Sequence, residues 1–159
     1  MDPRLSSVAA IIAKSTELAT ATLAGIDDAA YRRAFLPGTS PMAWILGHLV
    51  NSRHGMARLL GGDDVYAHAA LTARGSSSAE PGLLPDLDAT LAVWQRLDTR
   101  LAGLLDAASA GLLDAPAPGR APSLDGTVLG TLTFLALHEC HLGQLGMLRK
   151  AAGLPGLAG

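Results

Sequence analysis

Apolar residues recur at intervals of three and four along four long stretches, the spacing of one face of an α-helix. The first runs from about Pro3 to Leu23, with Leu5, Val8, Ile12, Ala19 and Leu23 on one stripe and Lys14 and Glu17 off it. Asp2 and Pro3 suit its cap and first helical position, and Gly25 its end. The second runs from about Pro41 to Leu60, with Ser40 as cap, Pro41 at the first helical position and Gly61-Gly62 as the stop. In the third, from about Leu84 to Ala108, Leu87, Leu91, Trp94, Leu97, Leu101 and Leu104 share a face, and Asp88, Arg96, Asp98 and Arg100 take the other. The fourth, from about Thr127 to Ala152, is apolar nearly all round in its first half, the pattern of a helix covered on several sides. Gly153 and Pro155 close it.

Between these stretches, residues 26–39 hold a short helical turn from Asp27 to Phe35. Residues 62–83 are rich in Gly, Ser and Ala, and residues 109–126 carry three prolines. No alternating strand pattern bounded by hairpin turns occurs. The expectation is an all-α protein, a four-helix bundle whose long connections permit crossovers. At 159 residues, the chain reads as one domain, 1–159.

Composition narrows the partners. Twelve basic and 14 acidic residues give a formal net charge of −2, which argues against a nucleic-acid binder that works by displacing counterions. A 49% apolar fraction excludes disorder. The single cysteine, Cys140, forms no intramolecular disulfide and fits a reducing cytoplasm, and no stretch reads as a membrane span. Charge is only 16% of the chain and is absent from Gly126 to His138. That apolar excess predicts a homodimer interface beside the second or last helix.

The chemistry lies in the histidines. His138 and His141 are three apart on a seam with Thr131, Phe134, Leu145 and Leu148, which should face the interior. His48 sits mid-helix, with Trp44, Asn51, Ser52 and Gly55 on its side, a smaller and more polar set than the neighbouring stripe. Three imidazoles from two helices suit a divalent transition metal with a position left open for chemistry. The alternative is a set of hydrogen-bonded core histidines. His138-Glu139-Cys140-His141 misses the zinc-protease pattern H-E-x-x-H by one residue, which rejects that reading. Glu139 is assigned a supporting role, either bonding a ligand imidazole or pairing with a cation. Cys140, about 200° round the helix from His138, reads as a small buried hydrophobe. His54 and His68 read as solvent-side, and Trp44, Trp94 and Tyr66 as core or pocket wall.

Two segments resemble a known family. Thr39-Ser40-Pro41-Met42-Ala43-Trp44-Ile45-Leu46-Gly47-His48-Leu49 is similar to the second-helix signature of the DinB-like superfamily, and Leu137-His138-Glu139-Cys140-His141-Leu142-Gly143-Gln144-Leu145 to its last-helix signature. The resemblance implies a dimeric four-helix bundle carrying nickel or zinc on three histidines, here His48, His138 and His141. It also implies a small-molecule substrate and thiol-dependent S-transferase chemistry with a low-molecular-weight thiol as cosubstrate. A metal-dependent hydrolase, or a non-catalytic module for metal or a small ligand, are the alternatives. The family usually spaces the last two histidines four apart, whereas here Leu137 stands four before His141.

Overall fold

The computed structural model describes all residues except 64, 77–79, 120, 158 and 159; residues 77–79 fall in the long connection predicted at 62–83. Seven α-helices form: α1 (Ser6–Leu23), α2 (Asp28–Arg32), α3 (Met42–Leu59), α4 (Leu87–Ala107), α5 (Ala110–Asp114), α6 (Val128–Leu137) and α7 (Leu142–Ala151). Among the described residues there is no strand, only an isolated bridge between Pro116 and Thr127. The chain is therefore all-α, as its periodicity predicts.

Most helix ends follow local chemistry. The side chains of Asp27, Asp86, Ser109 and Thr127 each accept a bond from a backbone N–H three residues on, at the starts of α2, α4, α5 and α6. Gly25 (φ +76°), Gly61 (φ +87°) and Gly153 (φ +86°) follow the ends of α1, α3 and α7 in the left-handed conformation that favours glycine. Two details differ from the sequence reading. Pro41, not Ser40, occupies the cap position of α3 and offers no side-chain bond. Residues 110–114, predicted as loop, form α5, because Ser109 caps a turn that buries Leu113.

Four long segments, α1, α3, α4 and α6 through α7, pack together. Two core clusters give their directions. The first half of α1 (Val8, Ile12) meets the ends of α3 (Met56, Ala57) and α4 (Leu101, Leu105), together with α6 (Val128, Leu132). The end of α1 (Ala19, Leu23) meets the starts of α3 (Met42–Leu49) and α4 (Leu87, Trp94), together with α7 (Leu145, Leu148). So α1 and α6–α7 run one way and α3 and α4 the other. Since α3 and α4 are parallel, the connection between them must traverse the length of the core, which is one long crossover.

Where the two clusters meet lies Arg53, wholly buried. Its guanidinium lies over the Trp94 ring at 3.4 Å and reaches the other three long segments. Nε donates to Glu139 Oε1 at 3.0 Å, Nη1 to Thr16 Oγ1 at 2.8 Å, and Nη2 to the Ile12 carbonyl at 3.0 Å. Asp98 stands 3.6 Å away and accepts from Thr16 Oγ1. Burial pushes the Glu139 carboxyl up and the Arg53 guanidinium down from their usual ranges, and in each case the partner's charge opposes the shift. No helix is long and apolar enough to cross a membrane among the described residues.

Candidate metal centre

The last helical segment is one continuous run, but residues 138–141 depart from α geometry. His138 (φ −63°, ψ −20°) and His141 (φ −62°, ψ −16°) lie in a four-residue 3₁₀ turn between α6 and α7. In a 3₁₀ helix, side chains three apart eclipse. In an α-helix the same pair would differ by about 60° around the axis. The tightened turn therefore aims His138 and His141 in one direction despite their three-residue spacing.

His48 of α3 faces them. The ring centroids lie 5.8 Å apart for His48–His138, 5.6 Å for His48–His141 and 5.9 Å for His138–His141. All three side chains are half-buried. Trp44, one turn before His48, stacks flat on its ring at 5.0 Å, and Phe134 meets His138 edge-on at 5.0 Å.

Each ring is held through Nδ1. His48 Nδ1 donates to the Thr72 carbonyl at 2.7 Å, and His138 Nδ1 to the Phe134 carbonyl at 3.2 Å. His141 Nδ1 donates to Gln144 Oε1 at 3.1 Å. A carbonyl oxygen can only accept, so Nδ1 is the donor in each ring, and in the neutral tautomer the lone pair is on Nε2. Burial holds the His48 imidazole below the usual histidine range, which favours the neutral, ligating form. Gly47 allows the Thr72 contact, because a Cβ there would stand 2.7 Å from Thr72 Cγ2.

Among the described residues, no three His, Cys, Asp or Glu side chains are gathered closely enough to form a ready metal site. The spacing of the ring centroids is nonetheless close to that of such a site. Three imidazoles sharing a tetrahedral ion at about 2.0–2.1 Å would place their ring centroids about 5 Å apart, so each pair here would close by under about 1 Å. The donor set itself, three imidazoles with Nδ1 anchored and no bond made by Nε2, fits a borderline transition metal.

The other candidates fall differently. Glu139 is buried against Arg53, so the cation-pairing alternative holds and no imidazole bond forms. Cys140 is exposed, not buried as expected. In the tightened turn the histidines take one direction and Glu139 the core, which leaves Cys140 the outward one. His54 is also a correction: it is buried and stacks on Tyr66 at 5.4 Å, because residues 65–72 fold over that side of α3. His68 is half-exposed and meets Tyr66 edge-on at 5.6 Å. Trp94 and Tyr66 are core, and Trp44 is a wall of the histidine cluster. Arg53 escaped the sequence reading, because it stands among Asn51, Ser52 and His54, where nothing local marks a buried residue.

No curated protein and no solved structure matches the chain. A family model does, over residues 12–145, a span that contains His48, His138 and His141. On that match, which covers more than half of its length, the chain belongs to the DinB superfamily.

Proposed function

We propose that the protein is a metal-dependent enzyme of S-transferase type, joining a low-molecular-weight thiol to a small electrophile, with His48, His138 and His141 as the ligands of a zinc or nickel ion. The observation that carries this is the convergence of three rings with every Nδ1 anchored and every Nε2 free. When bound, such an ion supplies positive charge that favours a thiolate at neutral pH. The chain's own part is orientation. The Thr72 and Phe134 carbonyls and Gln144 Oε1 fix tautomer and ring plane, while Trp44 and Phe134 shield two of the rings from water.

Thiol transfer is favoured over hydrolysis by the position of Glu139. A hydrolase of the zinc-protease kind uses a carboxylate beside its ligands to activate water. Glu139, the carboxylate flanked by the two last-helix histidines, is turned to Arg53. The homodimer belongs to the same proposal. Met147 (73% exposed) and Leu18 (40%) flank an apolar groove on α1 and α7, and among the described residues no other element lies within 4 Å of a Cβ at Gly143 or Gly146.

Elemental analysis after loading with zinc or nickel tests the ligand set. The expected result is near-stoichiometric metal that is lost in His48→Ala and His141→Ala. Less than about a tenth of an equivalent in the unmodified chain would sink it. A chromogenic electrophile screened with several small thiols then tests the chemistry. Retained metal without thiol transfer would leave the non-catalytic binding reading in its place.

A further inference from the structure

Residues 71–76, in the long connection between α3 and α4, border the histidine cluster and are bonded to α3 at two points. The Thr72 carbonyl accepts from His48 Nδ1 at 2.7 Å, and Ser76 Oγ accepts from Trp44 Nε1 at 3.2 Å. The stretch is braced from within as well. Thr72, fully buried, donates through Oγ1 to the His68 carbonyl at 3.1 Å, and Ser76 Oγ donates to the Leu71 carbonyl at 2.9 Å. Between the two anchors the chain makes a four-residue turn. The Ser76 N–H closes it by donating to the Ala73 carbonyl at 2.9 Å, with Gly75 (φ +81°) at the third position.

Arg74 is the second residue of that turn. Two residues of chain span at most about 7 Å, so its backbone lies that close to Thr72, whose carbonyl touches the His48 ring. The Arg74 side chain is exposed and makes no hydrogen bond or ion pair among the described residues. Its charge nevertheless reaches the cluster. Arg74 acts on the His48 ring together with His141 and His138, and all three disfavour the protonated form of that ring. Glu139, the carboxylate next to His138 in sequence, does not offset this charge, because it is turned to Arg53 in the core.

We propose that Arg74 holds a carboxylate of the molecule that enters the cluster, which makes the thiol cosubstrate a mercapto acid. The inference rests on the reading of His48, His138 and His141 as metal ligands. The thiol end faces the three imidazoles, and the carboxylate meets the guanidinium at the rim. A guanidinium suits this role because its planar N–H groups match two coplanar oxygens. One guanidinium also balances one charge, whereas a phosphate group would bring nearly two. The braced turn helps, since a cation already held in place has less freedom to lose on binding.

The test is calorimetry on the zinc-loaded full chain with ω-mercapto acids of two to six carbons, each against its own amide. The measure is the ratio of acid to amide affinity, compared between the unmodified chain and Arg74→Gln, which cancels differences between the probes' own thiols. For the chain length that fits, the ratio should fall by about fivefold in Arg74→Gln, the upper end for an exposed ion pair. Amide affinity and zinc content should not change. Arg74→Lys, which keeps the charge, should keep most of the ratio, and Arg58→Gln, an exposed arginine elsewhere on α3, should keep all of it. A ratio unmoved in Arg74→Gln at every length, or an equal loss of acid and amide binding, would overturn the inference and leave the ligand set standing. A chain that takes up no zinc would overturn the ligand set and this inference together.

Discussion

Two polar clusters share the same two helical segments and behave in opposite ways. Arg53 and Glu139 meet in the core, while His48, His138 and His141 meet a few residues away on another side of the same backbone. In the first, every nitrogen of the guanidinium has a partner inside the chain, on α1 and on the turn at 138–141. In the second, each ring has one nitrogen anchored and one left over. Glu139 sits between His138 and His141 in sequence, yet it belongs to the first cluster. A buried guanidinium whose nitrogens are all bonded within the fold acts on architecture. A half-exposed cluster whose rings lie together, each with a nitrogen unused, is open to something from outside.

The largest expected effect separates the two. Arg53→Met removes the charge that compensates a buried Glu139 and should cost about 3–5 kcal/mol of stability. Urea unfolding would measure it. Adding Glu139→Leu to the same chain should restore much of that loss, since a well-packed apolar pair often replaces a buried ion pair without penalty. If Arg53→Met were neutral, the architectural role of the first cluster would fall.

Gly47→Ala comes next and strikes the second cluster through its support. Its Cβ would stand 2.7 Å from Thr72 Cγ2, and Thr72 is fully buried, so the segment that bonds His48 must move. Overpacking of this kind costs about 1–3 kcal/mol. Zinc affinity, measured by chelator competition, should fall by about 10–100-fold, the scale for loss of a support behind a ligand.

Gln144→Ala should move stability by less than about 0.5 kcal/mol, because the side chain is exposed. It should still weaken zinc by about tenfold, having freed the His141 ring. The smallest effect expected is that of Cys140→Ser. The thiol is exposed and outside both clusters, so stability should hold to within about 0.5 kcal/mol, and metal content should not change.

Much of this was legible in the sequence because it rests on local physics. Apolar spacing marked the four long segments, Asp27 and Thr127 marked two of their starts or neighbouring turns, and glycines marked the ends. The three histidines were picked out because imidazoles within apolar helical runs are costly unless satisfied. What escaped was long-range or shorter than a helical period. Arg53 and Glu139 are 86 residues apart, and no local pattern pairs them. The burial of His54 depends on a connection that folds across α3, and the outward turn of Cys140 depends on four residues of tighter winding. Hydrophobic periodicity cannot distinguish 3.0 from 3.6 residues per turn over so short a stretch.

That short tightening reaches beyond the two rings it aligns. Four residues wound at about 120° each, instead of about 100°, advance the helix by about 80° more than α geometry, and their greater rise adds about 2 Å. One further α residue would supply about 100° and 1.5 Å. The turn thus stands in for almost one whole residue, in phase and in length. Beyond it, Leu142, Leu145 and Leu148 still face the core, as if the segment were one residue longer. A helix that is short by a residue can keep both histidines and everything downstream in phase by changing its winding where the histidines are.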